Sequence, residues 1–399
     1  MSNQTKQWAA IIMMIALFAM IAFVTNLCSP MATIVKNQFG TTELMGQIGN
    51  YANFIAYLVM GIPAGMLIAK YGYKKTALMA LVVGIVGIAL EYLSGVAGSY
   101  AVYLLGAFIS GLCMCMLNTV VNPLLNVLGG GGKTGNQLIQ IGGAFNSAAA
   151  VAVYITMGAL IGEVTKDTGI SDATPALFIA GGIFVVAFIV LLFTKINEPE
   201  QAPVETSLIT GALKHRHFAL GALAIFLYMS VEVGTPTYMI SYLQSDAVGV
   251  TAGVAALIAS VYWFMMFIGR SIGGAIGGKI SSRVMVSAVA VAAIVLIALG
   301  MFLPESIKMS VPGINWASLE LIWVEVPAGV AAFILVGLCT SVMWGGIFMT
   351  MVFGCAIMVA VQAYLYDIIG LYSYIVPLAC AAYILFYALI GSKVKKVEE

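Results

Sequence analysis

This sequence has little charge. Only 8% of its 399 residues are Asp, Glu, Lys or Arg, against about 25% in soluble domains. So few charges cannot cover a water-facing surface, and with 62% hydrophobic residues the chain is an integral membrane protein. The 17 basic and 16 acidic residues form no basic stripe, which excludes nucleic acid as a partner. Histidine is scarcer still. His215 and His217 fall in the Lys-His-Arg-His stretch at 214–217, expected in the inner headgroup region, and two histidines make no metal-ligand set. The six cysteines (Cys28, Cys113, Cys115, Cys339, Cys355 and Cys380) all lie in apolar runs, where a thiol behaves as a small hydrophobe. Cys113 and Cys115 point to different sides of a helix, and neither a disulfide framework nor a metal site results. His-Glu-x-x-His and a paired intramembrane aspartate are also absent, so an enzyme is not expected.

What is present is long apolar runs. A spanning helix needs about 20 mostly apolar residues. Cutting at charge and turn clusters gives twelve: 8–28, 47–69, 76–95, 100–128, 136–162, 174–194, 217–241, 251–278, 284–303, 326–345, 347–366 and 371–391. The first is too long for a signal-peptide core, and no small-residue cleavage site follows it. With the N-terminus inside, 13 basic residues fall on the cytoplasmic side and only Lys36, Lys166 and Lys308 outside; Arg270 lies within a span. That asymmetry places both termini in the cytoplasm.

Residues 195–216, "KINEPEQAPVETSLITGALKHR", form a polar, proline-containing cytoplasmic linker. It separates an N-terminal six-helix half (1–194) from a C-terminal one (217–399). Gly65, Lys70 and Lys74 are matched by Gly274, Lys279 and Arg283, each offset by 209 residues, a weak internal repeat where two homologous halves would place it.

The run "GGGGKT" at 129–134 imitates a phosphate-binding loop. Such a loop needs its first glycine where Val127 stands, and a strand before it rather than an apolar span. It is read as a tight turn between spans four and five. The residues around it are more informative. Asn118, Asn122 and Asn126 recur every four positions on one helical face. Amides are costly in hydrocarbon unless partnered. With Gln140 and Asn146 on span five, and Asn26 on span one, they suggest a hydrated path for an uncharged, hydroxylated ligand; single amides can equally serve as interhelical hydrogen-bond contacts.

Two charges are read as lying well inside spans, Glu232 and Arg270. Counted from the inner side, Glu232 sits roughly 22 Å deep and Arg270 about 15 Å. The difference of about 7 Å disfavours a tight pair between them, so Glu232 is the expected substrate or cation ligand and Arg270 a structural residue. Tyr228, Tyr238, Trp263 and Trp344 could stack on sugar faces, and Gln362 adds a polar group in span eleven.

The stretches "NTVVNPLLNVLG" (118–129), "GGAFNS" (142–147), "GIPAGMLIAKYGYKK" (61–75) and "GLCTSVMWGGIF" (337–348) resemble the fucose:proton symporter and glucose/galactose porter branch of the major facilitator superfamily. The resemblance extends over nearly the whole chain. It implies an all-α polytopic fold of two pseudo-symmetric six-helix bundles alternating access to a midplane sugar site. Residues 65–75 resemble the superfamily loop motif, so Gly65, Lys70, Gly72 and Lys74 are gating positions, with Ala69 replacing the motif's aspartate. Ser29 and Asn118 stand where proton-coupled fucose members carry carboxylates, which implies that coupling differs or is absent. The polar loop expected after "WGGIF" is missing at 345–350, shortening the turn between spans ten and eleven.

The function expected is import of a neutral hexose by a monomeric, multi-pass protein of the cell (inner) membrane, its partners being the sugar and the bilayer. No cofactor is expected beyond a co-transported sodium ion or proton, with Glu232 as the cation-coupling candidate. A non-transporting sugar sensor and a drug-efflux member of the same superfamily are the alternatives.

Overall fold

In hydrocarbon each backbone N–H and C=O must find an internal partner, so apolar segments of this length close their hydrogen bonds as helices. The computed structural model describes residues 7–40, 43–161, 168–199, 216–315, 318, 320–346 and 370–391. Among them, nine helical segments are long and apolar enough to cross a bilayer, and Gly329–Met343 is apolar but shorter. The chain divides into two compact units, Met1–Val204 and Glu205–Glu399.

The first unit contains α1 (Trp8–Phe39), α2 (Glu43–Tyr71), α3 (Tyr73–Ala97), α4 (Tyr100–Leu128), α5 (Gly132–Ile161) and α6 (Thr174–Phe193). Helix α1 runs well past the expected end at Cys28, to Phe39. The glycine run is a turn between α4 and α5: Gly130, Gly131 and Gly132 have φ of 83°, 72° and 56°, a conformation glycine alone adopts readily.

Helices α3 and α4 approach through small residues. A Cβ placed on Gly106 would fall 2.8 Å from the Glu91 nitrogen, and one on Gly87 2.7 Å from the Ser110 nitrogen. Such seams let backbones close where hydrophobic attraction between helices is weak. Cys113 meets Gly84 of α3, while the Cys115 thiol approaches the Tyr57 carbonyl of α2 at 3.7 Å.

The second unit opens with α7 (Arg216–Met229), a π turn (Ser230–Gly234) and α8 (Thr235–Gln244), which together make span seven. Then come α9 (Ala252–Ile276), α10 (Ser282–Phe302), the strands β1 (Lys308–Asn315) and β2 (Glu320–Pro327), and α11 (Gly329–Gly346). A 3-10 turn (Gly370–Tyr374) leads into α12 (Ile375–Phe386) and a terminal π turn (Tyr387–Gly391). The expected eleventh span, 347–366, lies outside the described residues. Exposed apolar side chains form a stripe along α10, through Val284, Val291, Val295, Leu299 and Phe302, as a lipid-facing helix requires.

The antiparallel hairpin β1–β2 departs from the sequence reading, in which 304–325 was only an outer connector. Val311 and Val326 are buried on one face, and the Ser260 hydroxyl of α9 donates to the Ile314 carbonyl at 3.4 Å. Pro312 and Gly313 within β1 hide the strand signal, since both residues are depleted in strands.

The close α3–α4 seam gives a direct expectation. Gly106→Ala should cost about 1–3 kcal/mol through overpacking and lower the melting temperature in detergent. Gly182→Ala on α6, where a Cβ would meet nothing within 4 Å, should leave it unchanged or raise it. Equal melting of the two variants would contradict the packing.

Candidate functional site

The amide face of α4 turns inward, but toward protein. Asn118 Nδ2 donates to the Tyr57 hydroxyl of α2 at 2.8 Å, and Asn122 Nδ2 donates to the Asn118 backbone carbonyl at 3.1 Å. Asn118, Asn122 and Gln140 are only 6%, 1% and 2% exposed. Asn146 of α5 donates to the Phe18 carbonyl of α1 at 2.8 Å, and Asn26 to the Ala22 carbonyl of its own helix at 2.8 Å. Within this unit, Asn118 thus ties α4 to α2 and Asn146 ties α5 to α1, while Asn122 and Asn26 bond within their own helices. The cause is general: a buried amide takes the nearest hydroxyl or carbonyl rather than remain unbonded. Asn126, at the end of the row, is half-buried. One acceptor is left over. The Asn122 side-chain oxygen has no partner among the described residues.

In the second unit the polar centre is the break in span seven, and Pro236 explains it. Proline carries no N–H, so the Glu232 carbonyl four residues earlier loses its helical donor. The Tyr262 hydroxyl of α9 donates to that carbonyl at 3.0 Å, with the Val231 carbonyl 3.4 Å away and Thr340 Oγ1 of α11 at 3.1 Å. On the other side of the break the Tyr374 hydroxyl donates to the Thr235 carbonyl at 2.8 Å. Tyr262 thus supplies a backbone hydrogen bond that the helix cannot, Tyr374 adds a second donor to a carbonyl at the start of α8, and a π turn accommodates the break.

The same turn aims Glu232 at Arg270, whose guanidinium donates to the carboxylate at 3.4 Å. Both residues are buried. This corrects the expectation from depth, which took span seven as one regular helix and left out the reach of the arginine side chain. Glu232 is therefore held in an ion pair. Of the candidate aromatics, Tyr228 and Tyr238 are buried, and Trp263 is half-buried with its ring edge-on to Tyr262 at 5.5 Å. Trp344 falls in the last turn of α11, its side chain outside the described residues, as is the whole of Gln362.

The expectation of only two intramembrane charges also needs correction, because Glu91 of α3 is 5% exposed and accepts a hydrogen bond from the Ser110 hydroxyl at 2.9 Å. The sequence reading passed over it because it lies close to the end of its span. Gly87 and Gly106 around it were the available signal, as small residues admit the approach of α4.

At the loop motif, Gly65 and Lys70 are exposed, and Lys70 Nζ stands 5.1 Å from the Tyr71 ring centroid. Gly72 joins α2 to α3 with φ of 85°. Glu198, which sequence reasoning missed, accepts from the Tyr73 and Lys74 backbone nitrogens at 2.6 and 2.9 Å. Lys74 Nζ in turn donates to the Leu192 and Thr194 carbonyls at 2.9 and 2.8 Å. An anion thus caps the N-terminus of α3 and a cation the C-terminus of α6, each in the sense favoured by the helix dipole.

The sequence profile of the Major Facilitator Superfamily matches residues 13–355. The chain is 27% identical to a glucose/galactose transporter of Brucella abortus, over 98% of this chain and 96% of that one. It is 24% identical over 264 residues to the L-fucose-proton symporter of Escherichia coli, covering 60% of each. The fold is similar to that of an outward-conformation transporter structure, FucP, with a TM-score of 0.79, 21% identity, and 96% and 99% of the two chains covered.

The two clusters make separate expectations. Arg270→Ala, which leaves Glu232 buried and unpaired, should cost about 3–5 kcal/mol in thermal melting, whereas Glu232→Gln combined with Arg270→Met should recover most of it. A double variant as unstable as the single one would refute the ion pair. Gly72→Ala should lower the melting temperature, since a side chain there is strained and its Cβ would meet the Glu198 carboxylate. An unchanged melting temperature would show that the Glu198 cap contributes nothing.

Proposed function

Because the chain belongs to the Major Facilitator Superfamily, whose members similar to it here are transporters and not enzymes, we propose that it imports a neutral hexose by alternating access. Two relatives spanning nearly all of it are described as a glucose/galactose transporter and a putative one. The observation that carries the reading is chemical: the buried polar groups of α4 are uncharged, the amides Asn118 and Asn122 among them, and Asn122 keeps an unused carbonyl oxygen there. A hydroxylated, uncharged ligand supplies the O–H donor that such an acceptor lacks.

In this reading the chain has twelve spans and both termini in the cytoplasm of the cell (inner) membrane. Its halves, 1–194 and 217–399, are joined by the linker 195–216, and it works as a monomer. The proposed sugar contacts in the first half are Asn26, Asn118, Asn122, Gln140 and Asn146, with Asn118 and Asn146 also bonding neighbouring helices. Glu232, Trp344 and Gln362 are the candidates from the other half. The Glu198–Lys74 contacts with Gly72 form the inner hinge. Import is coupled to a cation. The symporter relatives are named for the proton, and the replacement of the fucose-type carboxylates by Ser29 and Asn118 opens the position to sodium.

Counterflow of labelled glucose, galactose and fucose in proteoliposomes tests the proposal. Exchange of at least one hexose is expected. Asn122→Ala should weaken its half-saturation about tenfold, as for one lost hydrogen bond of roughly 1.4 kcal/mol. Binding without exchange, or no response to any hexose, would overturn it.

A further inference from the structure

Hydroxyls inside membrane helices ordinarily satisfy themselves on the carbonyl one turn back. Thr119, Thr237 and Ser271 do so here, at 2.8, 2.7 and 2.9 Å. At three positions about the break in span seven it does not hold. Ser230 opens the π turn and Thr235 follows it, five residues on, so that their side chains stack on neighbouring turns. Both are 0% exposed, as is Ser373 in the 3-10 turn that packs on α8. The Thr235 and Ser373 side-chain oxygens have no hydrogen-bond partner among the described residues, and Ser230 has none but the Cys380 thiol beside it. Ser373 directly precedes Tyr374, whose hydroxyl holds the Thr235 carbonyl, so the three belong to one neighbourhood.

Unbonded buried hydroxyls are costly, at about 1–3 kcal/mol each. Three in one neighbourhood at a helix break call for a common occupant. The groups available to it are hard, neutral oxygens, together with the Glu232 carbonyl, whose helical donor Pro236 removes and which keeps a second lone pair beside the bond from Tyr262. Interrupted membrane helices present such oxygens to sodium. The local charge is balanced, because Glu232 is paired with Arg270. A proton therefore finds no unpaired carboxylate here, while a monovalent cation finds oxygen ligands. The one soft group nearby, the Cys380 thiol beside Ser230, is a poor sodium ligand.

We propose that the break in span seven is a sodium site, with Ser230, Thr235 and Ser373 supplying hydroxyl ligands. This rests on the transporter reading, and it places the coupling ion on neutral oxygens rather than on the Glu232 carboxylate.

The test uses the purified full-length chain. Melting temperature and binding of radioactive sodium are measured in sodium, potassium and choline chloride at equal ionic strength. Sodium alone should raise the melting temperature saturably in the wild-type chain. Thr235→Val, which keeps the shape, and Ser230→Ala with Ser373→Ala should weaken sodium binding about tenfold or more, whereas Thr235→Ser should retain it and Ser271→Ala should not affect it. No sodium-specific shift, or an undiminished one in the Val and Ala variants, would overturn the site and leave buried water as the occupant. Hexose counterflow with equal sodium on both sides separates the two proposals. Exchange without sodium binding removes only the ion site, and sodium binding without exchange of any hexose removes only the importer reading.

Discussion

Everything in this chain answers to the absence of water around its middle. An unsatisfied peptide group in hydrocarbon costs several kcal/mol, more than any single packing contact returns. Backbone geometry is therefore regular wherever sequence permits, and each exception must be repaired locally. Pro236 is such an exception. Losing one N–H removes the donor to the Glu232 carbonyl, and the repair recruits Tyr262 from α9 and Thr340 from α11. A second contact across the break brings Tyr374 to the Thr235 carbonyl. The kink in span seven is consequently a junction at which three other segments are fastened, and removing a fastening residue would disturb all of them.

The same rule governs side chains, and it sorts the polar residues by what they have left to give. Asn118 and Asn146 donate to oxygens on neighbouring helices, so they contribute to helix placement, whereas Asn26 donates within its own helix. Glu232 and Arg270 neutralise each other. A buried ion pair is weak support for stability, since desolvation offsets its attraction, but breaking it is expensive. Among the described residues, what remains unspent includes one oxygen of Asn122, the Thr25 hydroxyl and the Asn136 amide in the first unit, and three hydroxyls about the break in the second. These residual valences are where ligands have something to gain.

How much of this could be read from the sequence follows from the length scale of each feature. Helices of some twenty apolar residues announce themselves, because hydrophobicity integrated over that length swamps local detail. The glycine turn at 129–132 was also legible, since its neighbours were apolar spans. Features decided by one or two residues were not. The hairpin hid behind Pro312 and Gly313, and the π turn behind an apolar run that looked like a regular helix. The pairing of Glu232 with Arg270 depended on that turn and on the length of the arginine side chain, neither of which counting residues along an ideal axis includes. Glu91 was lost for a related reason: whether a charge near the end of a span is wet or buried is set by the neighbouring helix. For the amides, periodicity gave the face correctly and could not say whether water or Tyr57 lay opposite.

That last failure bears on how specificity can arise in such a fold. If most amides are engaged in holding helices together, few are free to distinguish one sugar hydroxyl from another. Discrimination must then depend on the position of a small number of acceptors, and that position is fixed by the amides already bonded. Asn122 is held on α4 by its bond to the Asn118 carbonyl, and Asn118 by Tyr57 of α2. A shift of α2 against α4 would therefore move the free oxygen without altering any residue near a ligand. Backbone atoms of α2 already abut α4 at Gly111, where a Cβ would fall 2.6 Å from the Asn53 carbonyl. The seam that lets the helices close is thereby also what sets the aim of the remaining acceptor, so packing and recognition in this unit share the same few residues.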